Sequence, residues 1–491
     1  MKSGRSLALL SLLAIAGLLA ALWGSSRSPG RAASAPLLVH CAAGLKGPVE
    51  AAAKAYEQET GTPIQLQFGG SGTLLSNLKV SGQGDLFVAA DASFIEAGRT
   101  NQLLAEVIPL ARISPVVAVP KGNPRAVAAV ADLLRPGTRV SMANPDAAAI
   151  GAVVRKALQG TGQWAALAGA ATVFKPTVND VANDVRVGAV DAGIVWDATA
   201  AQYRELEAVR APELAGASSE VSVAVLRTCG QASSALAFAR YLGARDRGLG
   251  EFARAGYAVV GGDAWKARPE VVVYSGAVNR PALEPLLAEF EAREGVRVTR
   301  VYNCCGILTA QIRSGQRPDA YLACDTSFMT TVSNVFGPST DISRTSLVLL
   351  VRRGNPMGVR TLEDLGRPGL RVGLAQEQQS ALGALTARVL RSRGLLERVR
   401  PNVRVETPTG DLLVNQMRGG GLDVAVVYAV NARSAREALD AVPVEDAGAV
   451  AIQPYAVSQA TANARLMERL GERLRSASGR ARLEEAGFQP Q

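Results

Sequence analysis

The feature that most restricts this chain is a repeat of domain length. Leu37–Ala43 returns as Val271–Ala277, Gly69–Leu74 as Asn303–Leu308, and Asp85–Asp91 as Asp319–Asp325, all at an offset of 234. Further on the offset is 232, for Lys121–Pro124 against Arg353–Pro356, Ala149–Gly151 against Ala381–Gly383, and Val190–Trp196 against Leu422–Tyr428. A period this long is a duplicated domain, not a solenoid repeat. At 491 residues each copy is large enough to bury a core of its own.

Within each copy the organising stretch is a glycine-rich turn. In the first copy Ile64, Leu66 and Phe68 alternate with Gln65 and Gln67, the period of a strand, and Thr73–Val80 reads as a helix. A strand therefore delivers Gly69, Gly70, Ser71 and Gly72 to a helix start. Glycine lets backbone approach a ligand closely, and the free first-turn N–H groups with the helix dipole favour an anion. Leu37–Ala43 and Leu86–Ala89 read as neighbouring strands, with Gly44 and Ala90-Asp91 at their ends. Strands alternating with helices predict an open α/β sheet, which binds ligands beyond the carboxyl ends of its strands. A middle block, roughly 114–224, reads as a second α/β lobe inserted into the first.

Composition narrows the chemistry. The chain carries a formal charge of +10, which admits nucleic acid, a membrane surface or anionic ligands. Its basic residues are scattered without interleaved aromatics, so nucleic-acid binding is not expected. His40 is the only histidine, which excludes multi-histidine metal sites. No Gly-Lys-Ser/Thr ends the glycine turn, so a nucleotide P-loop is not supported. Asp85, Asp91, Asp319 and Asp325 could pair as catalytic carboxylates, but strand-end hydrogen bonding and helix capping account for them. No catalytic residue, resident metal or cofactor is expected.

The leader has the parts of an export signal: basic Lys2 and Arg5, an apolar run over Leu7–Trp23, and small polar residues over Ser25–Ala35. Residues 1–35 are read as a signal peptide or an N-terminal anchor, the only segment expected to meet a membrane.

These motifs together resemble the periplasmic molybdate-binding proteins of ABC importers. The residues that carry the resemblance are Ala43-Gly44-Leu45, Gly69-Gly70-Ser71-Gly72, Asp85–Asp91, Asn144-Pro145 and Gly193–Trp196. The resemblance implies tandem bilobed, periplasmic-binding-protein-like (venus-flytrap) α/β domains. The first would span 36–262, with lobe I at 36–113 and 225–262 and lobe II at 114–224. A linker at 263–269 would lead to a second domain at 270–491, with lobe I at 270–345 and 457–491 and lobe II at 346–456. It also implies an extracytoplasmic protein that binds a small oxyanion and delivers it to an ABC transporter permease. Gly44, Leu45, Gly70, Ser71, Gly72, Ala90, Ile150, Val181 and Trp196 would form the first site. Cys305, Gly306, Leu382 and Tyr428 stand at equivalent places in the second copy.

The sequence departs from that family's pattern at several of these places. Gly44 replaces a serine and Trp196 a tyrosine; in the second copy Val278, Cys304-Cys305 and Gln376-Glu377 replace a serine, the serine-rich turn and Asn-Pro. Cys304, Cys305 and Cys324 should meet at adjacent strand ends. Neighbouring cysteines bond to each other only with strain, and an exported chain meets an oxidising compartment. Cys324 is therefore expected to pair with Cys304 or Cys305; unpaired thiols and a soft-metal or thiophilic site are the alternatives. A non-transport sensor or scaffold on the same fold also remains open.

Overall fold

A computed structural model describes residues 35–491; the leader reading lies outside them. Among the described residues no helix is long and apolar enough to cross a membrane. The chain forms two compact units. The first holds 35–105, Ala111–Gly230 and Glu251–Ala258; the second holds Glu106–Leu110, Gln231–Gly250 and Val259–Gln491. Gln231–Gly250 groups with the second unit, where its helix Ala232–Leu242 brings Arg240 to Glu294, 3.1 Å away.

In the first unit β1 (Leu37–Ala42) is flanked in parallel by β2 (Ile64–Gly69) and β3 (Leu86–Ala89). β1 is apolar almost throughout because both its faces are covered, as in a parallel sheet, whereas edge strand β2 keeps the alternation that betrayed it. The other strands are β4 (Leu104–Ile113), β5 (Pro115–Pro120), β6 (Val140–Ala143), β7 (Val173–Lys175), β8 (Ala192–Trp196), β9 (Leu206–Val209), β10 (Ser219–Leu226) and β11 (Ala258–Val259). Lobe I is a six-stranded sheet, β11-β4-β10-β3-β1-β2, and lobe II a five-stranded one, β7-β6-β8-β5-β9. β10 runs antiparallel to β3, pairing Ser222 with Ala89, so residues 219–224 belong to lobe I and not to lobe II as expected.

The second unit repeats this plan with β12 (Glu270–Gly276), β13 (Arg297–Asn303), β14 (Ala320–Leu322), β15 (Thr340–Arg352), β16 (Val372–Ala375), β17 (Val403–Thr407), β18 (Val424–Tyr428), β19 (Leu439–Pro443), β20 (Val450–Val457) and β21 (Gln489–Pro490). Here β15 runs unbroken from one lobe to the other, pairing β20 up to Ser346 and β18 from Leu347, so both lobes share a ten-stranded sheet. β20 pairs β14, which returns residues 450–456 to lobe I.

The duplication extends to single hydrogen bonds. Asp85 accepts from Leu38 N–H at 2.9 Å, and Asp319 accepts from Val272 N–H at 2.7 Å. Asp91 caps the helix Ala92–Thr100 through Ser93 N–H at 2.9 Å, and Asp325 caps Thr326–Thr330 through Ser327 N–H at 3.0 Å. All four aspartates are thus engaged in holding strands and helix starts. His40 lies within β1, its Nε2 3.0 Å from Gln83 O; burial holds its pKa below the usual value.

Candidate ligand-binding clefts

Each unit has a cavity between its lobes, where lobe I strand ends meet lobe II helix starts. In the first unit three helices begin at the cavity: Ser71–Ser81 from lobe I, Ala149–Gln159 and Val178–Arg186 from lobe II. Each turns the positive end of its dipole toward the cavity, so the site favours an anion without any charged side chain. Its lining contains no ionisable group, and its empty space of about 230 Å³ is continuous with solvent.

Of the expected residues, Gly44, Gly70, Ser71, Ala90, Ile150 and Trp196 line this cavity. Ser71 is 1 % exposed, and its Oγ accepts from Ala90 N–H at 3.3 Å, which leaves its own hydrogen to donate to a ligand. Three expected residues do not line the cavity. Leu45 is fully buried in lobe I, and Val181 packs in lobe II against Gly193. Gly72 faces the other lobe: its N–H donates to Ala147 O at 2.9 Å, and Thr73 N–H reaches the same oxygen at 3.3 Å. Those two amides therefore link the lobes, and at this helix start Ser71 is the residue left facing the cavity. In this cleft a Cβ on Gly70 or Gly72 would overlap carbonyl oxygens of lobe II; at the second position the other cleft also has glycine, Gly306.

The second cavity, about 330 Å³, begins three helices in the same way: Cys305–Arg313, Ala381–Ser392 and Gly410–Arg418. Cys305, Leu382 and Tyr428 line it; Gly306 does not, because its N–H crosses to Gln379 O at 2.9 Å as the counterpart of Gly72. The lining differs in chemistry. It includes Asp411, at the position of Asn179 in the first unit.

The expected disulfide is absent: Cys304, Cys305 and Cys324 are free thiols. Cys304 turns its sulfur toward Pro408 O at 3.0 Å, away from the other two. Cys305 and Cys324 place their sulfurs 2.9 Å apart, and Cys305 Sγ also accepts from Cys324 N–H at 3.2 Å. Burial disfavours a thiolate at both. The hydrogen bonds from Cys324 and Tyr321 outweigh it at Cys305, whose pKa is lowered, while that of Cys324 is pushed well up, first by its hydrogen bond with Cys305 and then by burial. Space for the sulfurs comes from Gly276 at the end of β12, where any Cβ would collide with both; the first unit has Ala42 there.

Two further residues were not expected from the sequence. Thr199 and Asn431, equivalent at the offset of 232, stand in the helical turns following Trp196 and Tyr428. Thr199 Oγ1 and Asn431 Oδ1 are buried without a hydrogen-bond partner, as is the Tyr428 hydroxyl. Asn431 lines the second cavity, and Thr199 stands behind Gly44, 3.6 Å from where a Cβ on that glycine would sit. A buried polar atom without a partner is uncommon in a folded protein, and its recurrence at one position beside both clefts marks these residues. The only available sequence signal was the offset itself.

The model of a family described as bacterial extracellular solute-binding protein matches residues 37–258 and again 271–489. The molybdate-binding protein ModA of Mycobacterium tuberculosis is 28% identical over 223 residues, 44% of this chain and 84% of that protein. Among solved structures, the periplasmic molybdate-binding protein of Azotobacter vinelandii aligns at 19% identity and a TM-score of 0.40, covering 45% of this chain and all of that one. The sulfate-binding protein SubI of Mycobacterium tuberculosis aligns at 18% identity and a TM-score of 0.41, covering 45% of this chain and 87% of that one.

Proposed function

The chain belongs to the bacterial extracellular solute-binding proteins, as two such domains in tandem, and from that premise we propose that its first cleft captures a small oxyanion for an ABC importer. In this reading the leader exports the chain, the protein works outside the cytoplasmic membrane, and an importer permease is its partner. The domains are taken as 36–262 and 270–491. The observation that carries the proposal is the meeting of three helix N-termini at an interlobe cavity with no ionisable group in its lining. Neutral donors suit a fully ionised tetrahedral anion, since every hydrogen bond to it is charge-assisted and none of the donors needs a proton in return. The resemblance to molybdate-binding proteins names the first candidates, molybdate and tungstate, with sulfate next.

The test is a thermal-shift screen of the purified chain against molybdate, tungstate, sulfate and phosphate, followed by calorimetric titration of the best anion. A bound anion at 100 times its Kd stabilises its unit by about 2.7 kcal/mol. Ser71→Ala is expected to weaken that anion by roughly 10- to 100-fold, the loss of one hydrogen bond to a charged group. No stabilisation by any of the four would overturn the oxyanion reading. Unchanged affinity in Ser71→Ala would overturn the hydroxyl's role.

A further inference from the structure

We propose that the second cleft binds a trivalent arsenical, or a metalloid hydroxide of the same chemistry, as a dithiolate of Cys305 and Cys324. The two sulfurs lie 2.9 Å apart on one wall of the interlobe cavity. Replacing the Ser71 and Ala90 of the first cleft by two thiols is matched by the loss of a methyl group at Gly276, so the sulfur pair is a fitted feature of β12 and its neighbours. Cys305 is the first residue of the helix Cys305–Arg313, where the dipole and the Cys324 donors favour its thiolate.

The spacing selects the ligand. A two-coordinate soft cation holds its sulfurs on opposite sides, roughly 4.6 Å apart at metal–sulfur bonds of ~2.3 Å. A tetrahedral metal ion needs more protein ligands than two, and among the described residues no group of three or more His, Cys, Asp or Glu side chains is placed to hold one. A pyramidal centre with bonds of that length and near-right angles spans sulfurs roughly 3.3 Å apart, which asks for the least movement of this pair. Such a centre has one remaining hydroxyl. The Tyr428 hydroxyl and Asn431 Oδ1, both buried, unpartnered and lining the same cavity, supply hydrogen-bonding partners for it. Asp411 in the lining disfavours an anion but not arsenous acid, which is neutral at pH 7.

The chemistry balances without an oxidant. Arsenous acid and the two thiols give the dithioarsenite and two waters: two As–O and two S–H bonds break, and two As–S and two O–H bonds form. Arsenic stays trivalent and sulfur stays reduced. The reagent reaches the thiols when the lobes part.

The experiment uses the full exported chain kept reduced with a phosphine, since dithiol reductants would compete. Arsenite and phenylarsine oxide are each titrated calorimetrically, and the adduct is mapped by alkylation and mass spectrometry. One arsenic per chain is expected, with Cys305 and Cys324 protected from alkylation and Cys304 still reactive once the chain is unfolded. Cys305→Ser and Cys324→Ala, which install the first unit's residues, should each weaken binding by roughly 100-fold or more, since the second sulfur's bond is intramolecular. Failure of the reduced wild-type chain to bind either reagent would overturn the proposal, as would protection of Cys304 in place of Cys305 or Cys324. The wild-type mapping stands even where a variant fails to fold. None of these outcomes depends on which oxyanion the first cleft holds, because arsenic bound at the first cleft would leave Cys305 and Cys324 unprotected.

Discussion

Glu294→Ala is expected to destabilise the second unit by about 3–5 kcal/mol, the cost of stranding buried charge. Glu294 is 2 % exposed and takes Arg469 in a bidentate pair, Nε at 2.7 Å and Nη2 at 3.0 Å, while Arg240 Nη1 lies 3.1 Å from the same carboxylate. Removing the carboxylate takes the negative charge from between two largely buried guanidinium groups, whose side chains are 9% and 7% exposed. Glu289, which pairs with Arg473 and Arg482 at the surface, is the control: its side chain is 37% exposed, and Glu289→Ala should cost under about 1 kcal/mol. Calorimetric melting of the two variants separates these values, and equal losses would show that burial is not what makes the Glu294 cluster matter.

The same cluster sets a pH dependence. Burial alone would raise the Glu294 pKa, but Arg469 and then Arg240 overcome it and hold the carboxyl below its usual value. A depressed folded pKa means that the unfolded chain takes up the proton first as the medium acidifies. The contribution is therefore full above the unfolded value of about 4.3 and is lost as pH falls through the lower folded value. Melting temperature against pH should fall more steeply below about pH 4.3 in the wild type than in Glu294→Gln. Parallel curves would remove Glu294 as the source.

Gly70→Ala is expected to weaken oxyanion binding in the first cleft by roughly 100-fold, equivalent to about 3 kcal/mol. Gly70 has φ −68° and ψ 143°, a conformation any residue adopts, so backbone strain is not the reason. A Cβ there would drive into the carbonyl oxygens of Ala147 and Pro176, and main chain on both sides cannot step aside as a side chain could. Parting the lobes would move Ala147 O and Pro176 O away from that Cβ, so the expected result is ligand-free melting that barely changes while closure over ligand is lost. The second unit carries Cys304 at this position and accommodates it with the sulfur against Pro408 O. Titration calorimetry with the best anion decides the matter: unchanged affinity in Gly70→Ala would mean that the lobes do not need to close this tightly.

The fold was legible because its signals are redundant. The near-constant offset, the buried run of β1 and the alternation in β2 all point to the same α/β plan, and the strand ends bring Gly70, Ser71 and Ala90 to the interlobe cavity. The errors come from one-residue geometry. Gly72 is one position from Ser71, but a helix turns each successive residue about 100° further, so its amide serves the opposite lobe. Val181 lies one turn into its helix and packs beneath the cavity instead of lining it. The membership of β10 and β20 was misjudged because an apolar strand carries no mark of which sheet it enters. The disulfide was inferred from proximity, which was right for Cys305 and Cys324; the bond itself was not, and no sequence signal distinguishes a pair of thiols from a cystine.

The links that shut the clefts include Gly72 and Thr73 N–H on Ala147 O and Gly306 N–H on Gln379 O, made by main chain on both sides, and in the second cleft the Cys304 sulfur adds a link to Pro408 O. The main-chain contacts have no proton to lose in the physiological range and no net charge for salt to screen, so closure of the first cleft should be indifferent to pH and ionic strength. They are also invisible to most side-chain substitutions. Over evolutionary time the residues facing the ligand could therefore drift, from serine and alanine in one cleft to a pair of thiols in the other, while each cleft kept the same way of closing.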